Sequence, residues 1–282
     1  MLRVIGLILA LAPASAAWPQ AHRPAGGDGP SLKSANVLVM EQGGQRVLYA
    51  KNVEAVVPIA SITKLMTALV VVESGAPLEE SIAISDADAD DIKRTRSRLK
   101  AGTVLTRGDL LRLALMASEN RAAAALARTT LPGGTHAFVA AMNQKASQLG
   151  MSRTRYVDGT GLSSENVSTA SDLARLVSAA YRQPLIREYT TGTDYTVELA
   201  SGRRLHFTNS NRLVRSAGWD IGLSKTGYIS EAGRCLVLQA RIAARPVIIV
   251  LLDSWGKLTR IGDANRIKKW IESNSLRLSA AG

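Results

Sequence analysis

Pro58-Ile59-Ala60-Ser61-Ile62-Thr63-Lys64-Leu65-Met66-Thr67 opens an apolar run that continues to about Ser74. Pro58 suits the first position of a helix, where no backbone N–H is needed. Leu65, Met66, Leu69, Val70 and Val72 then supply apolar positions at helical spacing. The sequence on either side has a different character. Before it, residues 36–40 and 46–50 flank Gln42-Gly43-Gly44-Gln45, a β-hairpin pattern. After it, residues 75–190 read as mostly helical, over 108–117, 121–129, 135–149 and 171–181. Strand patterns then return. Residues 195–199 and 203–207 flank Ala200-Ser201-Gly202, 223–228 follow, and 235–240 and 247–252 flank a turn at Ala244-Arg245-Pro246. A closing helix over 264–273 repeats an apolar face at Ile267, Trp270 and Ile271. No internal repeat is present. Strands, a long helical insertion, strands and a last helix predict an α+β fold. Its antiparallel sheet would be flanked by helices, with a separate helical lobe at roughly 75–190.

The 282 residues are 46% apolar, enough for a packed core and incompatible with wholesale disorder. Three His and one Cys exclude a Cys/His zinc site and an internal disulfide. Cys235 lies in an apolar stretch without a nearby base and reads as a buried strand residue. Four Trp, six Tyr and two Phe are too few for stacking on single-stranded nucleic acid. At the start, Arg3 precedes an apolar run over residues 4–12, far short of the roughly 20 residues that span a bilayer. Ala14-Ser15-Ala16 follows as a cleavage site. Residues 1–16 are therefore expected to be a signal peptide. The Pro- and Gly-rich residues 17–34 read as a flexible linker, 35–275 as a single catalytic domain and 276–282 as a tail. The mature protein is expected outside the cytoplasm, in the periplasm, as a monomer with no nucleic-acid partner.

The formal net charge is +12. Basic residues cluster over 93–121, directly after an acidic run over 79–91. This is either an ion-paired, solvated face or an attractor for an anionic polymer. Arg266, Lys268 and Lys269 on the closing helix leave loose membrane association open. Glu272 and the short apolar stripe favour plain packing on the sheet.

Three small motifs carry chemistry. Ser-x-x-Lys occurs three times, at Ser61/Lys64, Ser97/Lys100 and Ser254/Lys257, so the motif alone decides nothing. Only Ser61 and Lys64 sit at the start of an apolar helix, where residues three apart share a face. There an amine can take the hydroxyl proton, and the helix N-terminus favours negative charge on the oxygen. Ser-x-Asn also occurs three times, at Ser34/Asn36, Ser118/Asn120 and Ser164/Asn166. Ser118-Glu119-Asn120 lies between two helical segments, where a turn presents a second hydroxyl and an amide. Lys225-Thr226-Gly227 occurs once, on a strand. A strand edge there can pair with an extended peptide while Lys225 and Thr226 bind its carboxylate. Gly227 leaves room for close backbone approach. Taken singly, each motif is also an ordinary helix end or turn; it is the three in order that point to one cleft.

The stretch from Pro58 to Thr67 resembles the active-site signature of the D-alanyl-D-alanine carboxypeptidase/endopeptidase family of low-molecular-mass penicillin-binding proteins. Asp158-Gly159-Thr160-Gly161-Leu162-Ser163 and Asn166-Val167-Ser168-Thr169-Ala170-Ser171-Asp172-Leu173 resemble a second block of that family. Ala114-Leu115-Met116-Ala117-Ser118-Glu119-Asn120-Arg121-Ala122-Ala123 is most similar to the endopeptidase subgroup, with Glu119 where Asp or Gly is more usual. The likeness spans about residues 35–272. It implies the transpeptidase-like fold, peptidoglycan stem peptides as substrate, β-lactams as covalent inhibitors, and no metal or organic cofactor. Ser61 would be the nucleophile, Lys64 its general base and Ser118 a proton relay. Asn120 would hold the substrate backbone, and Lys225 and Thr226 its carboxylate. The N–H groups of Ser61 and Tyr228 would form the oxyanion hole. Burial and the charge of Lys225 would both lower the pKa of Lys64.

With 55 residues after Gly227 there is room for two strands and a helix but not for a further β-domain, which points to the endopeptidase subgroup over a carboxypeptidase. A class A-like β-lactamase would need a Glu followed three and four residues later by Leu-Asn. Glu165 is followed instead by Asn166-Val167-Ser168-Thr169. A non-catalytic cell-wall binding protein is the remaining alternative, opposed by the intact motif set.

Overall fold

The structure, a computed structural model, describes residues 29–43 and 46–280, with side chains through Ser275. The expected signal peptide and most of the expected linker lie outside the described residues. The elements in order are β1 (Asn36–Glu41), β2 (Val47–Lys51), β3 (Val57–Pro58), a 3-10 turn (Ala60–Thr63) and α1 (Lys64–Glu73). Then come β4 (Ser81–Ala83), β5 (Val104–Thr106), α2 (Arg107–Met116), α3 (Asn120–Thr129), α4 (Gly134–Gln148), β6 (Val167–Ser168), α5 (Ala170–Tyr181) and α6 (Pro184–Thr191). The chain closes with β7 (Asp194–Glu198), β8 (Arg204–Thr208), β9 (Asp220–Ile229), β10 (Gly233–Ile242), β11 (Arg245–Ser254) and α7 (Thr259–Ala280).

The main sheet has the order β2-β1-β11-β10-β9, each neighbouring pair antiparallel. Its central strands are apolar on both faces, because both faces are covered. Leu38, Met40, Val237, Ile248, Val250 and Leu252 point into one core, shared with α1 to α5. Val37, Val39, Leu236, Leu238, Ile249 and Leu251 point into the other, closed by Ala264, Ile267 and Ile271 of α7. The closing helix therefore packs on the sheet. No helix among the described residues is long and apolar enough to cross a membrane.

The helical region shares one core with the sheet, which runs from the sheet's inner face through α1 into α2–α5. α1 is buried nearly all round, including Lys64 and Thr67. Thr106 and Thr169 start α2 and α5 by accepting the N–H groups of Asp109 and Asp172, each at 3.0 Å. The paired strands β7 and β8 form a ribbon of their own and do not extend the main sheet.

Three expected boundaries shift. Pro58 does not open the helix; it ends β3, which pairs with β6, and α1 begins only at Lys64. The linker does not reach residue 34. The Asp263 carboxylate accepts the N–H groups of Lys33 (3.1 Å) and Ser34 (2.7 Å) and the Ser34 hydroxyl (2.5 Å), which anchors the chain beside α7 before β1 starts. The expected tail is helical as far as it is described, since α7 runs on to Ala280.

Candidate active site

Ser61 sits in the tight turn between β3 and α1. The Ile59 N–H reaches Asn166 O (3.1 Å), Ile62 N–H reaches Ile59 O (3.2 Å) and the Thr63 hydroxyl reaches Ala60 O (2.8 Å). Ala60 is left-handed at φ +48°, a conformation that costs an L-residue about 1–2 kcal/mol. Two glycines hold the turn in place. A Cβ on Gly161 would lie 2.0 Å from Ala60 O, and one on Gly227 would lie 2.9 Å from Ile59 O and 3.2 Å from Ser61 N. The loop around Gly161 and strand β9 thus press on the Ser61 turn, and neither position admits a side chain.

Lys64 is 1% exposed. Its Nζ donates to Ser61 Oγ (2.9 Å), Asn120 Oδ1 (2.7 Å) and Thr160 O (2.6 Å), one acceptor for each ammonium proton. Burial pulls its pKa down to about 8, against the opposing charges of Asp158, Glu119 and Asp90. At pH 7 about 10% of Lys64 is then neutral, where a free lysine would be neutral at only about 0.03%. Burial, which was expected to act together with the charge of Lys225, is the main cause. Lys225, 1% exposed, is itself held well below the ordinary lysine value, by burial first and then by the charges of Lys64 and Arg260.

The turn between α2 and α3 supplies the second pair. Ser118 adopts φ +61°, a strained conformation of the sort that gathers at functional turns. The Glu119 carboxylate caps α3 by accepting Arg121 N–H (3.2 Å), and Asn120 is the first residue of α3. The two polar side chains face different walls of the cleft. Ser118 Oγ accepts from Lys225 Nζ (2.8 Å), whereas Asn120 accepts from Lys64 and donates its Nδ2 to Thr95 Oγ1 (2.9 Å).

The opposite wall is β9, the edge strand of the sheet. Lys225 Nζ also donates to Thr226 O (3.0 Å), and the Thr226 hydroxyl donates to Ser210 Oγ (2.8 Å). Tyr228 is 55% exposed, with the Arg234 guanidinium 4.3 Å above its ring. The printed contacts join Ser61, Lys64 and Asn120 on one side and Ser118, Lys225 and Thr226 on the other, with Gly227 packed against the Ser61 turn and Tyr228 next to it on β9. The decoys do not join them. Ser254 is buried against Ser34 (2.6 Å), and Ser97 caps the backbone N–H of Leu99 (3.0 Å). Cys235 is buried with its thiol pushed up to about 11 by desolvation, so it stays protonated.

Several residues of the site carried little or no sequence signal. Asp158 organises the loop that delivers Thr160 O to Lys64, accepting Thr160 N–H and Gly161 N–H, each at 2.6 Å, and Asn166 Nδ2 (2.6 Å). Its Asp-Gly-Thr-Gly motif was visible, but not what its carbonyl holds. Arg260 reaches from α7 to Gly227 O (2.7 Å) and Cys235 O (3.0 Å) on the far side of β9. Burial lowers it to about 10, and no carboxylate pairs with it among the described residues. Nothing in its sequence neighbourhood marks it. Ser210 and Thr95 were equally silent.

The family model for D-alanyl-D-alanine carboxypeptidase (peptidase S11) matches residues 22–256. A D-alanyl-D-alanine endopeptidase of Pseudomonas aeruginosa is 47% identical over 246 residues, covering 87% of this chain and 79% of that protein. One of Escherichia coli is 42% identical over 248 residues, covering 88% and 80%. Among solved structures, the DD-transpeptidase of Streptomyces K15 superposes with a TM-score of 0.79 at 28% identity, over 86% of this chain and 98% of that one. A D-alanyl-D-alanine carboxypeptidase of Mycobacterium tuberculosis gives 0.78 at 26% identity, over 89% and 95%.

Proposed function

The chain belongs to the D-alanyl-D-alanine carboxypeptidase family, peptidase S11, and on that premise we propose that its cleft is the active site of a serine D-alanyl-D-alanine endopeptidase. It is a hydrolase that cuts peptide cross-links of peptidoglycan, and β-lactams acylate it at the same serine. The endopeptidase reading over the carboxypeptidase one is supported by relatives of that name at 47% and 42% identity. Its substrate places the protein at work in the cell envelope, outside the cytoplasmic membrane.

The observation that carries the reading is the contact between Lys64 Nζ and Ser61 Oγ at 2.9 Å, with a lysine whose pKa is brought down to about 8. Neutral Lys64 takes the proton of Ser61 as Oγ attacks the D-alanyl carbonyl carbon. Negative charge builds on the carbonyl oxygen, where the N–H groups of Ser61 and Tyr228 receive it. The C–N bond then breaks. The departing amine takes a proton through Ser118, whose oxygen is already held by Lys225. Asn120, fixed by Lys64 and Thr95, keeps one Nδ2 hydrogen for the substrate backbone. Lys225 and Thr226 receive the carboxylate beside the scissile bond, with Arg260 adding positive potential from behind the strand. Water then attacks the Ser61 ester, returning the serine and freeing the shortened stem.

The test is incubation of the protein, and of Ser61→Ala, with purified cross-linked muropeptide dimers and a pentapeptide monomer, read by mass. Conversion of dimer to monomers by the unaltered protein alone is expected. Release of D-alanine from the pentapeptide with the dimer untouched would make the enzyme a carboxypeptidase.

A further inference from the structure

The basic run that follows the acidic stretch is not evenly ion-paired. Arg107, buried, pairs with Glu80 (2.5 Å), and Arg112, nearer the surface, pairs with Glu188 (2.5 Å). The segment Lys93-Arg94-Thr95-Arg96-Ser97-Arg98 behaves differently, because it is strapped across the mouth of the cleft. At one end Lys93 pairs with Glu231 (2.5 Å), at the turn between β9 and β10. At the other, Arg98 lies 3.8 Å over the Phe207 ring and donates to His206 O (2.5 Å) on β8. In the middle, Thr95 Oγ1 accepts from the Asn120 amide (2.9 Å) and donates to Asp90 Oδ2 (2.6 Å).

These three anchors leave Arg94 and Arg96, the two neighbours of Thr95, exposed. Neither makes a hydrogen bond, ion pair or ring contact with any described residue. The nearby acid Asp90 is already engaged by the backbone N–H groups of Ile92, Lys93 and Thr95 and by the Thr95 hydroxyl. Asp91 is exposed and forms no ion pair with either arginine. Two unneutralised guanidinium groups thus flank a residue in direct hydrogen-bond contact with Asn120.

We infer that Arg94 and Arg96 form a carboxylate-binding subsite at the cleft mouth, which takes the acidic stem of the peptide substrate outside the scissile bond. The inference rests on the peptidase reading above and names what that site selects. A guanidinium matches a carboxylate in geometry and forms paired hydrogen bonds with it. The strap fixes the backbone on both sides of the pair, so little of the chain has to be ordered when the ligand arrives. An uncharged or amidated stem gains nothing here. The subsite therefore separates peptides by charge at a distance from the reacting carbonyl, where Ser61 and Lys64 cannot.

The experiment compares two cross-linked muropeptide dimers that both keep the free carboxylate beside the scissile bond, one with its other stem carboxylates free and one with those others amidated. Cleavage by the protein and by Arg94→Gln/Arg96→Gln is followed by mass, and binding of both dimers to each protein by calorimetry. The unaltered protein is expected to prefer the carboxylated dimer by about tenfold in kcat/KM, carried by KM, and to lose that preference in 0.5 M salt, where charges are screened beyond about 4 Å. In the double variant the ratio falls to near one. Equal binding of the two dimers by the unaltered protein overturns the subsite, and so does a preference that survives the double substitution. Failure of the peptidase reading looks different: no dimer is cut at all, while calorimetry still reports whether the arginines distinguish the two ligands.

Discussion

The cleft has two walls, and each is built around a lysine that is 1% exposed. On the helical wall, Lys64 meets three oxygen acceptors and feels the charges of Asp158, Glu119 and Asp90, so burial lowers it only to about 8. On the sheet wall, Lys225 meets Ser118 and a backbone carbonyl, and its charged neighbours are Lys64 and Arg260. Carboxylates surround the first and cations the second. In the proposed mechanism the same residue type, at the same burial, gives up and retakes a proton on one side and awaits an anion on the other. A buried amine among cations is stabilised when a carboxylate docks, which ties substrate binding to the protonation of Lys225.

The comparison breaks most visibly at Lys64. Lys64→Met keeps the volume and removes the base; acylation by a fluorescent penicillin is expected to slow about 10³–10⁴-fold in stopped flow. Slowing of less than tenfold would leave Lys64 a mere hydrogen-bond donor. Lys225→Gln is expected to cost about 10²-fold in kcat/KM on peptides with a free carboxylate, and the loss should appear in KM. A loss equal for peptides without that carboxylate would remove Lys225 from substrate binding.

A third experiment sharpens the contrast. In the proposed mechanism the neutral form of Lys64 is the reactive one and its pKa is lowered, so acylation should rise about tenfold per pH unit below 8 and level off above it. In Lys225→Gln the inflection should rise by less than a unit, because burial is the larger cause and the substitution removes only the smaller push of a neighbouring cation. A shift upward by a unit or more would make the charge of Lys225, and not burial, the larger cause. The smallest effect is expected away from both walls. Cys235→Ala should leave acylation unchanged and cost about 1 kcal/mol of stability in urea unfolding. Rapid labelling of native Cys235 by a thiol reagent would contradict its burial.

Much of this cleft was legible in the sequence because its parts are local. Ser61 and Lys64 lie three residues apart, Ser118 and Asn120 two, and Lys225 to Tyr228 are consecutive. The strands were legible because both sheet faces are buried, leaving long apolar runs such as Val247–Leu252 in register with β1 and β10. The illegible parts depend on contacts far apart in sequence. Pro58 looked like a helix start because the local pattern favours it. The left-handed Ala60 that delays the helix is imposed by Gly161 and Gly227, about 100 and 170 residues away. The paired Arg260 carbonyl contacts and the Thr95–Asn120 bond have the same origin. α6 was passed over within a stretch read only as mostly helical, although Pro184 occupies its first turn.

The order β2-β1-β11-β10-β9 also sets a timetable. β1 is made first, yet six of its residues wait for β11, more than two hundred positions later. Its approach is clasped by Asp263, which arrives later still. As the chain emerges N-terminus first, the opening strand can pair with β2 on one edge, but its other edge has no partner until nearly the whole polypeptide is out. Such long-range closure makes folding slow and late. Ser61 and Lys64 are synthesised early, but the strand that completes their cleft comes more than 150 residues afterwards. In this order the two walls of the proposed site meet only when β9, late in the chain, has been made.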